Sequence, residues 1–416
     1  MKLRCATALI GIAMVSVLRG ENELLERVEQ ALTLSSAEGD IRARLSGTVE
    51  LEGYVFPQPA PGYIASRSDA LFNPRLTTFL DVQVGPNLYA FAQFRADRGF
   101  DPGARHPRGR LDEYAVRLRL SDEGRLNLQV GKFATVVGNW VMRHGAWENP
   151  FVTAPLVYEN LTAIWDDAAA QTSGKLLGWA HIRPRPVRDA PATDKAQRLP
   201  VIWGPSYTTG AAVSGYVGRM TYAVEMKNAS IASRPRVWDV EDLHWRHPTW
   251  SGRLGFRPNQ MWNLGLSGST GTYLLPKATG TLLPGYGLGD YRQTVVAHDI
   301  GFAWHHLQVW AECFGTRFTI PGVGDADTFA YYVEAKYKIT PQLFGAVRWN
   351  EQLFGRIADE MTGSTRWGFN ARRLDLVGGY RFSAHTQLKI QYSLQHEEHA
   401  PREVAHLLSL QLMLRF

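Results

Sequence analysis

Apolar residues recur at every second position along most of this chain. Ile41, Ala43, Leu45, Gly47, Val49 and Leu51 alternate with Arg42, Arg44, Ser46, Thr48, Glu50 and Glu52. The same period returns where Phe329, Tyr331, Val333, Ala335, Tyr337 and Ile339 alternate with Tyr332, Glu334, Lys336 and Lys338. It is cleanest in the last ten residues, where Leu408, Leu410, Leu412, Leu414 and Phe416 oppose Ser409, Gln411 and Arg415. Successive strand side chains point to opposite faces, so each segment predicts a strand with one apolar and one polar face. Eighteen such segments can be read, from 42–55 to 403–416. The pair at 161–170 and 175–183 is the least regular, because Trp165-Asp-Asp-Ala-Ala-Ala170 alternates badly; if it belongs to a loop, the number is sixteen.

The connections alternate in length. Short turns fall at Gly85-Pro-Asn87, Gly218-Arg219, His305-His306 and Thr340-Pro341, while longer Gly/Pro-rich stretches fall at about 56–74, 134–160, 184–205, 231–248, 274–290, 320–326 and 354–370. A β-sandwich gives no reason for this rhythm. A transmembrane β-barrel does, with short periplasmic turns and long extracellular loops. The predicted fold is therefore all-β: an antiparallel transmembrane barrel of 18 strands, with 16 as the alternative.

Composition narrows the picture further. Hydrophobic content is 45% and mean hydropathy −0.22. No apolar run beyond the N-terminus reaches the roughly 18 residues that a membrane helix needs. Helical membrane proteins are excluded on that ground, and barrels are not. Thirteen tryptophans suit interfacial girdles or a sugar-binding surface. Met1–Gly20 reads as a secretory signal, with Lys2 and Arg4 ahead of the apolar Ala6–Leu18. Residues 21–40 carry a short periplasmic helix with Leu24, Leu25, Val28, Ala31 and Leu32 on one face, and 41–416 form the barrel. Removal of the signal leaves Cys313 alone, so no intrachain disulfide forms. It also leaves 42 basic against 39 acidic residues, too even a balance to imply nucleic acid.

Barrels of this size enclose an aqueous channel, which places candidate chemistry in the lumen. Phasing each strand by its apolar face directs Arg42, Arg44, Arg75, Arg95, Arg117, Arg119, Arg253, Arg348 and Arg373 inward, with Lys132 closing the fifth strand. Asp81, Asp97, Glu113, Glu225, Glu312, Glu334 and Asp375 face the same way. Basic rings in a pore raise the local anion concentration. Cross-strand pairing would instead use those charges to hold the wall. Both readings stand at this point.

The fifth strand ends in Gly131-Lys132-Phe133 and leads through Gly138 to Asn149-Pro150-Phe151. This stretch, with the layout of the whole chain and the terminal aromatic strand, resembles outer-membrane porins of the phosphate- and carbohydrate-selective type. The resemblance implies a bacterial outer-membrane location and a third extracellular loop that folds inward. Its constriction residues would be Trp140, Arg143, His144, Trp147 and Glu148. It implies passive diffusion of small polar solutes, with anions or carbohydrates preferred. The implied partners are outer-membrane lipid and two further copies in a homotrimer. The loop lacks the lysine cluster of phosphate-selective members. Trp140 and Trp147 suit a sugar track or anchors against the wall. The competing class is a non-conducting barrel acting as a scaffold, an adhesin or the partner of a periplasmic complex. No cofactor, metal site or enzyme is expected. His298-Asp299 and His244 with His247 lack a nucleophile elbow, His396-Glu-Glu-His399 lacks zinc-helix spacing, and Asp325 with Asp327 reads as a polar turn.

Overall fold

The structure, a computed structural model, describes residues 23–57, 59–66, 68–98, 107–121, 123–182, 195–240, 245–359, 362–399 and 403–416. The expected signal segment lies outside them. Sixteen strands pair antiparallel with their sequence neighbours and close into a barrel. They are β1 Ile41–Val55, β2 Ala70–Val84, β3 Leu88–Asp97, β4 Arg108–Arg119, β5 Asn127–Phe133, β6 Thr208–Val217, β7 Met220–Lys227 and β8 Thr249–Phe256. The second half comprises β9 Trp262–Thr272, β10 Arg292–Trp304, β11 Leu307–Ile320, β12 Gly324–Lys338, β13 Leu343–Phe354, β14 Ala371–Arg381, β15 Thr386–Glu397 and β16 Ala405–Arg415. A short extra strand, Thr33–Ser35, lies against the start of β1 and follows a helix at 23–31.

The seam runs between β16 and β1, in register from Leu408 opposite Val55 to Arg415 opposite Thr48. Alternation gives each of these strands two unlike faces. Leu408, Leu410 and Leu412 lie exposed on the outer face, while Ser409 and Gln411 are buried inside. Outside is where a barrel meets acyl chains, so exposure of these leucines is the stable arrangement in lipid. Phe416 finishes the seam: its main chain pairs with that of Gly47, and a Cβ on Gly47 would stand 2.6 Å from the Phe416 ring.

The strand number corrects the reading of eighteen. Residues 161–182 form no wall strands. Trp165 makes only an isolated bridge to Arg198, and Ser173–His181 is a helix, α1, whose N-cap Thr172 accepts from the Lys175 amide through its side chain. Ala168, Ala169 and Ala170 offer little to a pleated surface, and Thr172 starts a helix well. The connection from β5 to β6 is consequently a single loop, 134–207. The reverse correction applies at 320–326, where β11 and β12 run on to a three-residue turn, 321–323. The wall is uneven: β5 and β8 have 7 and 8 residues, β11 and β12 have 14 and 15.

Candidate pore constriction

The connection 134–207 is the third at the long-loop end, and its stretch 134–160 folds into the lumen. Apolar packing drives it there. Val137, Trp140, Val141, Val157 and Tyr158 are buried against Val295, Ala297, Phe314 and Ala330 of β10 to β12. Each large apolar side chain removed from water contributes about 1.5–3 kcal/mol. Further along, Phe151 packs on Phe344, Ala346 and Val377 of β13 and β14. Asn149 accepts from the Phe151 amide at 3.0 Å, which tightens the Asn-Pro-Phe turn.

Lumenal polar groups then fix the loop at mid-depth. The Glu312 carboxylate accepts from the Asn139 amide, the Trp140 amide (2.8 Å) and the Tyr158 hydroxyl (2.8 Å). It thereby caps the 3-10 turn Trp140–Arg143. Arg143 donates to Glu334 and to the Tyr332 hydroxyl, and lies 4.5 Å from the Trp310 ring centroid. Arg348 donates to Asp375 (2.9 Å) and to the Thr153 carbonyl (3.0 Å), and Arg373 to Glu159 and the Ala154 carbonyl. Lys389 donates to the carbonyls of Ala146 (2.7 Å) and Asn149 (3.0 Å). Gln391 both accepts from the Val152 amide and donates to the Thr153 hydroxyl, each at 2.7 Å. The loop thus meets donors and acceptors from five consecutive strands.

His144 is held inside this packing. Its Nδ1 lies 2.5 Å from the Val141 carbonyl and its Nε2 2.5 Å from the Tyr207 hydroxyl. A carbonyl only accepts, so the proton sits on Nδ1 and the tyrosine donates to Nε2. Burial, with Arg95 nearby, pulls the imidazole down to about 4. Toward the long-loop end, Lys195 donates to the carbonyls of Ala60, Gly62 (2.9 Å) and Ile64 (3.0 Å), tying this loop to the first one. Asp166 is buried against Arg234 and Arg236. Burial outweighs those cations and raises its carboxyl to about 6.

The opposite wall carries its own network. Arg75 bridges Glu50 (3.0 Å), Glu52 (3.1 Å) and Asp97 (2.8 Å), Arg110 joins Asp97 to Asp112, and Arg95 lies 3.3 Å from Asp112. Arg253 pairs with Asp299 at 2.6 Å. Between Arg75, Glu159 and Thr153 a cavity of about 70 Å³ remains, room for a few waters. Below the loop the lumen opens into a space of about 930 Å³ bounded by Asn139, Thr221, Asn263, Gln308 and Trp310.

The sequence candidates divide accordingly. Arg348 and Arg373 lie buried beneath the loop, and Arg75 and Arg95 are held in the opposite network. Arg42 and Arg119 stand near the short-turn end. Arg44 pairs with Glu29, and Arg117 donates to Gln129 at 2.7 Å. Lys132 is a departure from simple phasing. Gly131, at φ +142° and with the Tyr114 carbonyl 2.2 Å from where a Cβ would sit, breaks the alternation. Lys132 is then buried, donating to the Leu111 carbonyl and to Asp239. Of the loop candidates, Trp140 is 4% exposed inside the apolar packing. Trp147 lies under two guanidinium groups, and Glu148 is exposed to the lower lumen. Phasing missed the role of Glu312, Glu334 and Lys389 as loop anchors, since their partners lie far away in sequence.

The other motifs do not converge. His298 faces outward while Asp299 pairs inside with Arg253, and His244 lies outside the described residues. Arg317 takes both Asp325 (3.0 Å) and Asp327 (2.8 Å). Among the described residues no three His, Cys, Asp or Glu side chains are grouped to hold a metal.

No family model and no curated sequence matches the chain. Solved structures do. OmpF of Salmonella typhi in complex with daunomycin is similar at a TM-score of 0.54 and 9% identity, over 92% of this chain and 100% of that one. The anion-selective porin of Comamonas acidovorans gives 0.52 and 10%, over 90% and 100%. The outer-membrane channel DcaP of Acinetobacter baumannii gives 0.54 and 10%, over 92% and 99%. At such identities the likeness is one of fold: the chain has the barrel of bacterial outer-membrane porins.

Proposed function

We propose that the chain is a narrow outer-membrane channel for passive diffusion of small polar solutes, with its short turns on the periplasmic side and loop 134–207 as its constriction. One observation carries this reading: a sixteen-strand barrel whose third long-loop connection is pinned at mid-lumen by Glu312, Glu334, Arg348, Arg373 and Lys389. The reading involves no catalysis and no energy coupling. Selection would come from the width left beside the loop and from charge along the path. The outer leucines and valines meet lipid, and the porin fold makes a homotrimer the assembly to test.

Planar-bilayer recording is the test. Stepwise conductance from the purified barrel, larger when residues 139–158 are replaced by a short Gly/Ser linker, supports the channel. One observation favours a second reading, a non-conducting scaffold: the mid-lumen charges are already used by one another and by loop carbonyls. A folded barrel that stays silent both with and without the loop segment would establish that reading instead.

A further inference from the structure

Most lumenal cations have protein partners, but a group below the loop keeps donors in hand. Arg381 of β14 and Arg415 of β16 both place their guanidinium carbons over the Trp147 indole, 5.1 and 4.2 Å from its centroid. Each uses its Nε on the wall: Arg381 donates to Gln387 at 2.9 Å and Arg415 to the Ala384 carbonyl at 2.7 Å. Their η nitrogens have no protein partner among the described residues, and neither guanidinium is ion-paired there. Lys336 of β12 completes the group, its ammonium 4.5 Å from the Phe344 ring centroid. The three interact electrostatically, and the acidic side chain facing them is Glu148.

We propose that Arg381, Arg415 and Lys336 form an oxyanion-binding site in the periplasmic half of the lumen. Stacking on one indole and the two Nε bonds hold the guanidinium groups in place before any ligand arrives. Ordering costs on binding are therefore small. Free η nitrogens present the fork that matches a carboxylate or phosphate group bidentately. Three cations against Glu148 leave an excess of positive charge in a partly enclosed space, where attraction is stronger than in open water. The site rests on the channel reading for its purpose, as a docking step for anionic solutes, but its existence is independent of conduction.

Calorimetry on the intact, detergent-solubilised barrel at low salt tests this, with inorganic phosphate and malonate as probes and chloride as the control. The expected result is saturable binding of one or both oxyanions, weakened roughly tenfold or more by Arg381→Gln or Arg415→Gln, as loss of a charged hydrogen-bonding group implies. Phosphate binding alone assigns a phosphate site, and malonate binding alone a carboxylate site. Arg381→Lys keeps the charge without the fork and should fall between wild type and Arg381→Gln. Should a glutamine variant fail to fold, Lys336→Met supplies the same comparison. Absence of binding to the folded wild type, or equal binding by the variants, overturns the site. A silent channel that still binds phosphate would overturn the channel reading and leave the site standing.

Discussion

Two parts of one lumen use the same residue types to opposite ends. At mid-depth Arg348, Arg373 and Lys389 are buried, and every one of them donates to the inserted loop. Below the loop Arg381 and Arg415 are half-exposed, and their η nitrogens have no protein partner among the described residues. The difference lies in what stands opposite. Backbone carbonyls and carboxylates turn a cation into a fastening; a cation that meets neither keeps donors with which to recruit a ligand. Lumenal phase and residue type are the same in both places, so neither assigns the role.

The comparison breaks first if the loop does not limit flux. Replacing residues 139–158 by a short linker should raise single-channel conductance severalfold at least, toward that of an open sixteen-strand barrel, which leaves an aqueous channel. Unchanged conductance would place the constriction elsewhere. Next, Arg348→Met should destabilise the barrel by about 1.5–3 kcal/mol, because Asp375 keeps only Arg373 of its two buried guanidinium partners and the Thr153 carbonyl loses its donor. Arg381→Met should cost under about 1 kcal/mol, as expected for a half-exposed charge. Urea midpoints of the two variants check this, and equal losses would erase the distinction between the regions.

A pH titration sharpens it further. His144 has its pKa lowered to about 4 by burial, against about 6.5 for an undocked imidazole. The docked loop therefore holds its full stability above about pH 6.5 and loses it as pH falls through about 4. Asp166 of the same loop, raised to about 6, acts with the opposite sign, so His144 is read by difference: toward pH 4 protease access should rise more in the wild type than in His144→Gln. A transition complete by pH 6 would contradict this placement of His144. The smallest effect belongs to the exposed Arg44–Glu29 pair: Arg44→Ala should shift stability by no more than about 0.5 kcal/mol by the same urea measure.

How much of this was legible in sequence depends on the range of the interactions. β16 was readable because Leu408, Leu410 and Leu412 announce a lipid face without reference to any other strand. Residues 161–182 were not, because Trp165 stacks on Trp179 at 4.4 Å within the loop, and that packing mimics neither strand nor helix period. The loop itself was recognisable from Gly131-Lys-Phe133 and Asn149-Pro-Phe151. Its fastening was not: Glu312 reaches Trp140 across 172 residues and Lys389 reaches Asn149 across 240. Alternation placed Arg415 toward the lumen, yet nothing local indicated that Trp147 would lie beneath it.

The seam between β1 and β16 has a consequence for how this molecule comes into being. Gln411 donates to Glu50 across 361 residues, and the backbone ladder around it joins the first wall strand to the last. Until both are present together, β1 and β16 each carry an open row of amide and carbonyl groups. Bilayer hydrocarbon does not tolerate such edges. Closing this seam and entering hydrocarbon are therefore one coupled step: the edges of β1 and β16 have to be paired with each other before either can lie in lipid.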